Sequence, residues 1–186
     1  MSKFTLHTID SAPEAIKPLF QNSINGFGMI PNLHAVMGES PELLEAYQYI
    51  HKLFSGASSF DAAEKTVVWQ TINVEHECHY CVPAHTFIAN HMEVDQAITE
   101  ALRNGTAMPN EKLQVLHETT LVMLRSRGRI TKEEMEKFFA AGYENRHLLD
   151  IILGLSQKVM SNYVNHIAET PVDAPFVEYA WEKSSD

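Results

Sequence analysis

The sequence predicts an all-α fold of seven or eight helices in a single domain spanning residues 1–186. Two observations carry that reading. Apolar residues recur at helical spacing through most of the chain. Asp, Asn, Ser and Thr stand where helices would begin, and Gly, Asn or Pro stands where they would end.

Residues 1–12 form a candidate docking arm. The stretch SAPEAIKPLFQNSINGFG reads as a short helix ending at glycines, and MIPNLHAVMGES as a turn and a short helical piece. Ser40 as N-cap, with Pro41 at the first helical position, opens the next helix. Leu43, Leu44, Tyr47, Ile50, Leu53 and Phe54 repeat along it, and Gly56 is the expected stop. Asp61 and Glu64 make a capping-box pattern for AAEKTVVWQTINVEH. Val67, Val68 and Trp69 favour a strand locally, but their flanks favour a helix. The cysteine-bearing stretch reads as a helix from about Cys78. Asp95 to Arg103 forms another, stopped by Asn104-Gly105. Asn110 caps a helix that ends at Gly128, and Thr131 with Glu134 forms a second capping box. A last helix of ~25 residues runs to Pro171. The tail, 171–186, is irregular but carries Phe176, Tyr179 and Trp181, which suit docking on the body or on a neighbouring subunit.

Charge and composition narrow the function. The net charge of −10 opposes binding to a phosphate backbone, so nucleic acid is not an expected partner. No apolar run approaches ~20 residues, so no membrane span is expected. The start of the chain lacks a basic segment followed by a long apolar core, which argues for a cytoplasmic protein. In that compartment two close cysteines point to catalysis or metal binding.

The stretch VEHECHYCVPAHTFIANHM, Val74 to Met92, holds both cysteines of the chain and four of its ten histidines. On one helix, Cys78, Cys81 and His85 fall within an arc of about 60°. Cysteines at i and i+3 can approach disulfide distance. A helix start favours thiolate through its free N–H groups and dipole. A histidine one turn on can exchange a proton with sulfur. A redox dithiol fits these features. Two other readings stay open on spacing alone. One is a zinc site using the cysteines, His85 and one of His76, His79 or His91, although no second cysteine pair is present. The other is a pair of buried structural thiols.

The pattern Glu-x-x-Cys-x-x-Cys-x-x-x-His, here Glu75, Cys78, Cys81 and His85, resembles the alkylhydroperoxidase D-like group of the carboxymuconolactone decarboxylase family. The segments GMIPNLHAVMGESPELLEAY and NYVNHIAETPVDAPF are similar to other parts of that family, so the likeness covers roughly residues 26 to 176. It implies an all-α homo-oligomer, a trimer or hexamer, without cofactor or metal. It also implies a thiol peroxidase that reduces hydroperoxides through a Cys78–Cys81 cycle, recharged by a protein or small-thiol reductant. A disulfide reductase, and a zinc-binding or idle scaffold, are the alternatives. Cys81 would attack peroxide and Cys78 would resolve the sulfenic acid. Helix-end physics alone favours Cys78 as the more acidic thiol. The family's proton relay joins glutamate, histidine and cysteine. Its prototype places the glutamate where Thr66 stands here, and a histidine where Tyr80 stands. The Glu-x-x-Cys pattern points instead to Glu75. His91, His117, His147 and His166 read as structural.

Overall fold

The computed structural model describes residues 4–183. It is all-α. The helices are α1 (Lys17–Phe27), α2 (Asn32–Met37), α3 (Pro41–Ala57), α4 (Ala62–Glu75), α5 (Cys81–His91), α6 (Gln96–Asn104), α7 (Glu111–Arg125), α8 (Lys132–Ala140) and α9 (Asn145–Ala168). A 3-10 turn, Ala174–Tyr179, follows. Eight of these elements are seven residues or longer, in line with the expected seven or eight.

Helix α4 is the axis of the molecule and packs against α5, α6, α7 and α9. Every residue from Thr66 to Asn73 is buried, so this helix lies within the protein on all sides. Burial on every side explains why the strand-like residues Val67, Val68 and Trp69 are helical: packing overrides local preference. Gly154 lets α9 come close. A Cβ there would stand 2.8 Å from the Phe54 ring and 2.9 Å from the Val68 side chain. One apolar cluster joins α4 to α6, α7, α8 and the first half of α9. A second joins α1, α2 and α3 to the two cysteines, the end of α9 and the tail. The site lies in this second cluster.

Local chemistry set most boundaries. Asp61 and Glu64 form a capping box, as do Thr131 and Glu134. Asn110 Oδ1 accepts from Leu113 N, and Gly105 ends α6 in the left-handed region at φ +66°. Three expectations need correction. Ser40 occupies the N-cap position of α3, but its side chain makes no capping bond. The same helix runs through Gly56 and ends at Ser58, whose hydroxyl donates to Phe54 O, while Ser59 bonds Asp150 of α9. The cysteine helix starts at Cys81 rather than near Cys78. There Glu77, at φ +52°, ends α4, and Cys78 N donates back to Asn73 O.

Residues 1–3 of the arm and 184–186 of the tail lie outside the described residues. The rest of the arm runs along α2, with His7 N donating to Ala35 O at 3.3 Å and Ala12 buried. The tail lies over α5. Phe176 packs on Phe87 and Tyr80, with ring centroids 5.2 and 6.2 Å away. Arg103 donates to Tyr179 O and Ala180 O, and Trp181 Nε1 donates to Arg103 O.

Candidate active site

Cys78 stands one turn ahead of α5, where a capping side chain would stand. Its carbonyl accepts from Val82 N, and its sulfur accepts from Cys81 N at 3.3 Å. Both cysteines are free thiols, with Cys78 wholly buried and Cys81 2% exposed. Burial follows from the left-handed turn at Glu77, which folds the loop inward over α4 and α9.

The inner face of α9 supplies the rest of the site. Gln157, Lys158, Ser161, Asn162 and Asn165 are all wholly buried, an unusual run of polar side chains. Asn165 Nδ2 donates to Cys81 Sγ at 3.2 Å, and Lys158 Nζ stands 2.8 Å from His85 Nε2. The Lys158 charge also acts on the Cys81 sulfur. Burial alone would raise the Cys81 thiol. The hydrogen bond from Cys78, the Lys158 charge and the Ser161 and Asn165 donors outweigh it and bring Cys81 down to about 5. The same contact with Cys81, together with burial, pushes Cys78 up. Both directions favour Cys81 over Cys78 as the thiolate of the pair.

Burial, reinforced by Lys158 and His51, holds His85 well below its usual range, so its imidazole is neutral. Since an ammonium has only hydrogens to offer, Lys158 donates to His85 Nε2 and leaves the ring proton on Nδ1. That Nδ1 is buried and has no hydrogen-bond partner among the described residues. It is a free donor in the site. Burial lowers the Lys158 ammonium, while the Cys81 thiolate opposes that shift.

Above Cys81 lies a cavity of about 110 Å³, lined by His85, Lys158 and a collar of aromatic rings including Phe27, Tyr47, Phe87 and Phe176. It has the scale of a site for a small organic molecule, since a dry cavity of about 150 Å³ accepts a benzene ring. Solved structures share this architecture. An alkylhydroperoxidase AhpD core, an uncharacterized peroxidase-related protein from Ralstonia eutropha JMP134, superposes with a TM-score of 0.83 at 16% identity over 94% of each chain.

The chain has the alkylhydroperoxidase D-like fold. A peroxidase-related protein from Silicibacter sp. TM1040 gives a TM-score of 0.78 at 20% identity over 94% of each chain. The debrominase Bmp8, in complex with 2,3,4-tribromopyrrole, gives 0.75 at 17% identity over 96% of this chain and 95% of its own. No family model matches the sequence, and no curated protein matches it.

On this alkylhydroperoxidase D-like scaffold, Cys78, Cys81 and His85 meet, with Lys158 bridging sulfur and imidazole. Glu75 does not join them. Its carboxylate takes two 2.7 Å bonds from the Arg125 guanidinium, which hold it below the usual carboxylate range. A carboxylate so paired is a weak base. Thr66, at the prototype's relay position, donates to Ala62 O on its own helix. Tyr80 donates to Asp173, which also caps α2 by accepting from Asn32 N, so this tyrosine ties the dithiol loop to the tail. His76 and His79 bond Asn162 and the Thr170 carbonyl. Among the described residues no three His, Cys, Asp or Glu side chains stand where they could share a metal ion. Lys158, Ser161 and Asn165 were not anticipated from sequence. The available signal was a lysine and two asparagines on one face of α9, where apolar residues were expected.

Proposed function

We propose that the protein is a dithiol peroxidase, with Cys81 as attacking thiolate and Cys78 as resolving thiol. The observation that carries this reading is the buried Cys81 sulfur, which accepts from Asn165 Nδ2 at 3.2 Å and is favoured as thiolate by the Lys158 charge, with Cys78 beside it as the less acidic partner. Cys81 Sγ attacks the terminal oxygen of a hydroperoxide. The S–O bond forms as the O–O bond breaks, and sulfur loses two electrons. The departing alkoxide takes a proton from the Lys158 ammonium, either directly or through His85, whose Nδ1 gives up its proton as Nε2 takes the lysine's, and leaves as an alcohol. Cys78 then attacks the sulfenic acid. The S–S bond forms and hydroxide leaves with the Cys78 proton as water; an external dithiol, or two thiol molecules in turn, then gives two electrons and two protons, ends as a disulfide and restores both cysteines.

The relay is thus lysine and histidine in place of glutamate and histidine. Because both sulfurs are buried, a folded protein disulfide cannot reach them, which favours a small substrate over protein-disulfide reduction. The cycle suits the reducing cytoplasm, where thiols are regenerated.

The aromatic collar favours one second reading, reductive dehalogenation of a small ring, as the debrominase neighbour suggests. There the thiolate would take a halogen from carbon while the ring carbon gains a proton. Cys78 would then displace halide to give the same disulfide. The two readings separate by titrating reduced protein with hydrogen peroxide, organic hydroperoxides, a small disulfide and a brominated pyrrole. We expect two thiols lost per hydroperoxide consumed and one Cys78–Cys81 disulfide formed. Bromide release without hydroperoxide consumption would support the second reading, and thiols untouched by every compound would sink both.

A further inference from the structure

Next to the Cys81 cavity lies a larger, more open groove of about 630 Å³. Four residues line both spaces and form the wall between them: Phe27, His34, Tyr47 and His51. Two of the four are pinned by hydrogen bonds, and a third by burial. His34 Nδ1 lies 2.8 Å from Ser23 Oγ, and His51 Nδ1 accepts from Gln157 Nε2 at 2.9 Å. Tyr47 is buried and packs on both histidines, with ring centroids 5.5 and 6.4 Å away. Phe27 has ring contacts alone, edge-on to His34 with centroids 5.6 Å apart and tilted over His51 at 5.9 Å. It is also 45% exposed, whereas His34 and Tyr47 are buried.

The backbone beneath this ring is built to yield. Phe27 is the last residue of α1 and sits between two glycines. Gly26 weakens the final helical turn by its backbone freedom, and nothing crowds its α-carbon. Gly28 takes φ +73° and closes the helix by donating to Ile24 O. Rotation of one side-chain torsion moves the ring without breaking a hydrogen bond, and fraying of this turn gives up only closing backbone bonds such as Gly28 N to Ile24 O. Its displacement would join the small cavity to the groove.

We propose that Phe27 is the specificity-determining gate of the Cys81 site. Closed, it restricts the cavity to compact molecules. Swung outward, it admits organic hydroperoxides with a bulky carbon group, whose remainder lies in the groove beside Asn22, Gln48 and Lys52. This rests on Cys81 being the attacking thiol, and the test has an arm that does not need peroxidase chemistry.

In a Cys78→Ser background, where one thiol is counted, Cys81 is alkylated with iodoacetamide and with N-(1-pyrenyl)maleimide. In the two-cysteine protein, oxidation is timed with hydrogen peroxide and with cumene hydroperoxide. Phe27→Ala is expected to raise the bulky-to-small rate ratio about tenfold in both arms, and Phe27→Trp to lower it. Gly26→Ala, which stiffens the turn without a clash, should slow the bulky reagents alone. A ratio in Phe27→Ala within about twofold of the parent in the alkylation arm overturns the gate. A shifted alkylation ratio with no oxidation by either peroxide keeps the gate and overturns the peroxidase reading. Melting curves confirm that the half-exposed position tolerates each change.

Discussion

Replacing Lys158 by methionine removes the buried charge beside Cys81 and keeps most of the side-chain stem. Its effect on the thiolate can be worked from the site. An ammonium and a thiolate ~4 Å apart, at an effective dielectric of ~20, attract by about 4 kcal/mol. At 1.36 kcal/mol per pH unit, losing that attraction moves the thiolate titration midpoint up by about three pH units. From a Cys81 value of about 5, the midpoint then falls above neutrality. At pH 7 the parent is almost wholly thiolate, while about one tenth of Lys158→Met remains ionised. Thiolate absorbance at 240 nm against pH, compared with and without Lys158→Met in one Cys78→Ser background, measures the shift. Sulfenic-acid formation at pH 7 should fall about tenfold and recover as the pH is raised past the new midpoint. A midpoint that moves by less than about half a pH unit would refute the electrostatic role given to Lys158.

The remaining predictions concern acid, packing and assembly. Burial holds His34 at about 3 and His51 at about 4, both below the ordinary 6.5. Below pH 6.5 the unfolded chain therefore binds protons that the folded one refuses. Each of these histidines should cost about 1.4 kcal/mol of stability per pH unit between pH 6.5 and its folded value, seen as a falling melting temperature. A melting temperature flat from pH 6.5 to 4.5 would contradict this. Gly154→Ala forces a methyl against Phe54 and Val68 and should destabilise by about 1–3 kcal/mol in urea titration, whereas a neutral result would show that α9 can shift away. We assign self-association, as a trimer or hexamer, to the outer face of α9, where Leu149, Ile152, Tyr163 and Ile167 stand exposed. Light scattering should give a multiple of the 21.0 kDa chain that a Leu149→Glu/Ile167→Glu variant loses, and a parent that stays monomeric at high concentration overturns the assignment.

Local signals made the fold legible. The capping boxes at Asp61 and Thr131, the cap at Asn110 and the stop at Gly105 act through neighbours in sequence, whereas α7 ends at Arg125, short of the expected Gly128. Gly56 misled because a glycine ends a helix only where the chain must turn, and here the turn waits for Ser58 and Ser59 to meet Asp150. The sequence puts the start of the cysteine helix one turn early because Glu77, a residue with no special liking for positive φ, turns the chain before Cys78. In the site, the two cysteines and His85 were visible because one short stretch holds them. Lys158, Ser161 and Asn165 lie about eighty residues away, and only tertiary packing brings them to sulfur. Glu75 looked apt by spacing, but Arg125 on α7 claims its carboxylate, a contact that spacing along α4 cannot disclose.

The division of labour between the cysteines is the centre of this account. It is tested most directly by trapping sulfenic acid with dimedone after one equivalent of hydroperoxide, in Cys78→Ser and in Cys81→Ser. The polarised pair predicts a stable, fully trapped sulfenate on Cys81 in the Cys78→Ser protein and none on Cys78 in the Cys81→Ser protein. A sulfenate on Cys78 in Cys81→Ser, with none on Cys81 in the converse variant, would contradict it.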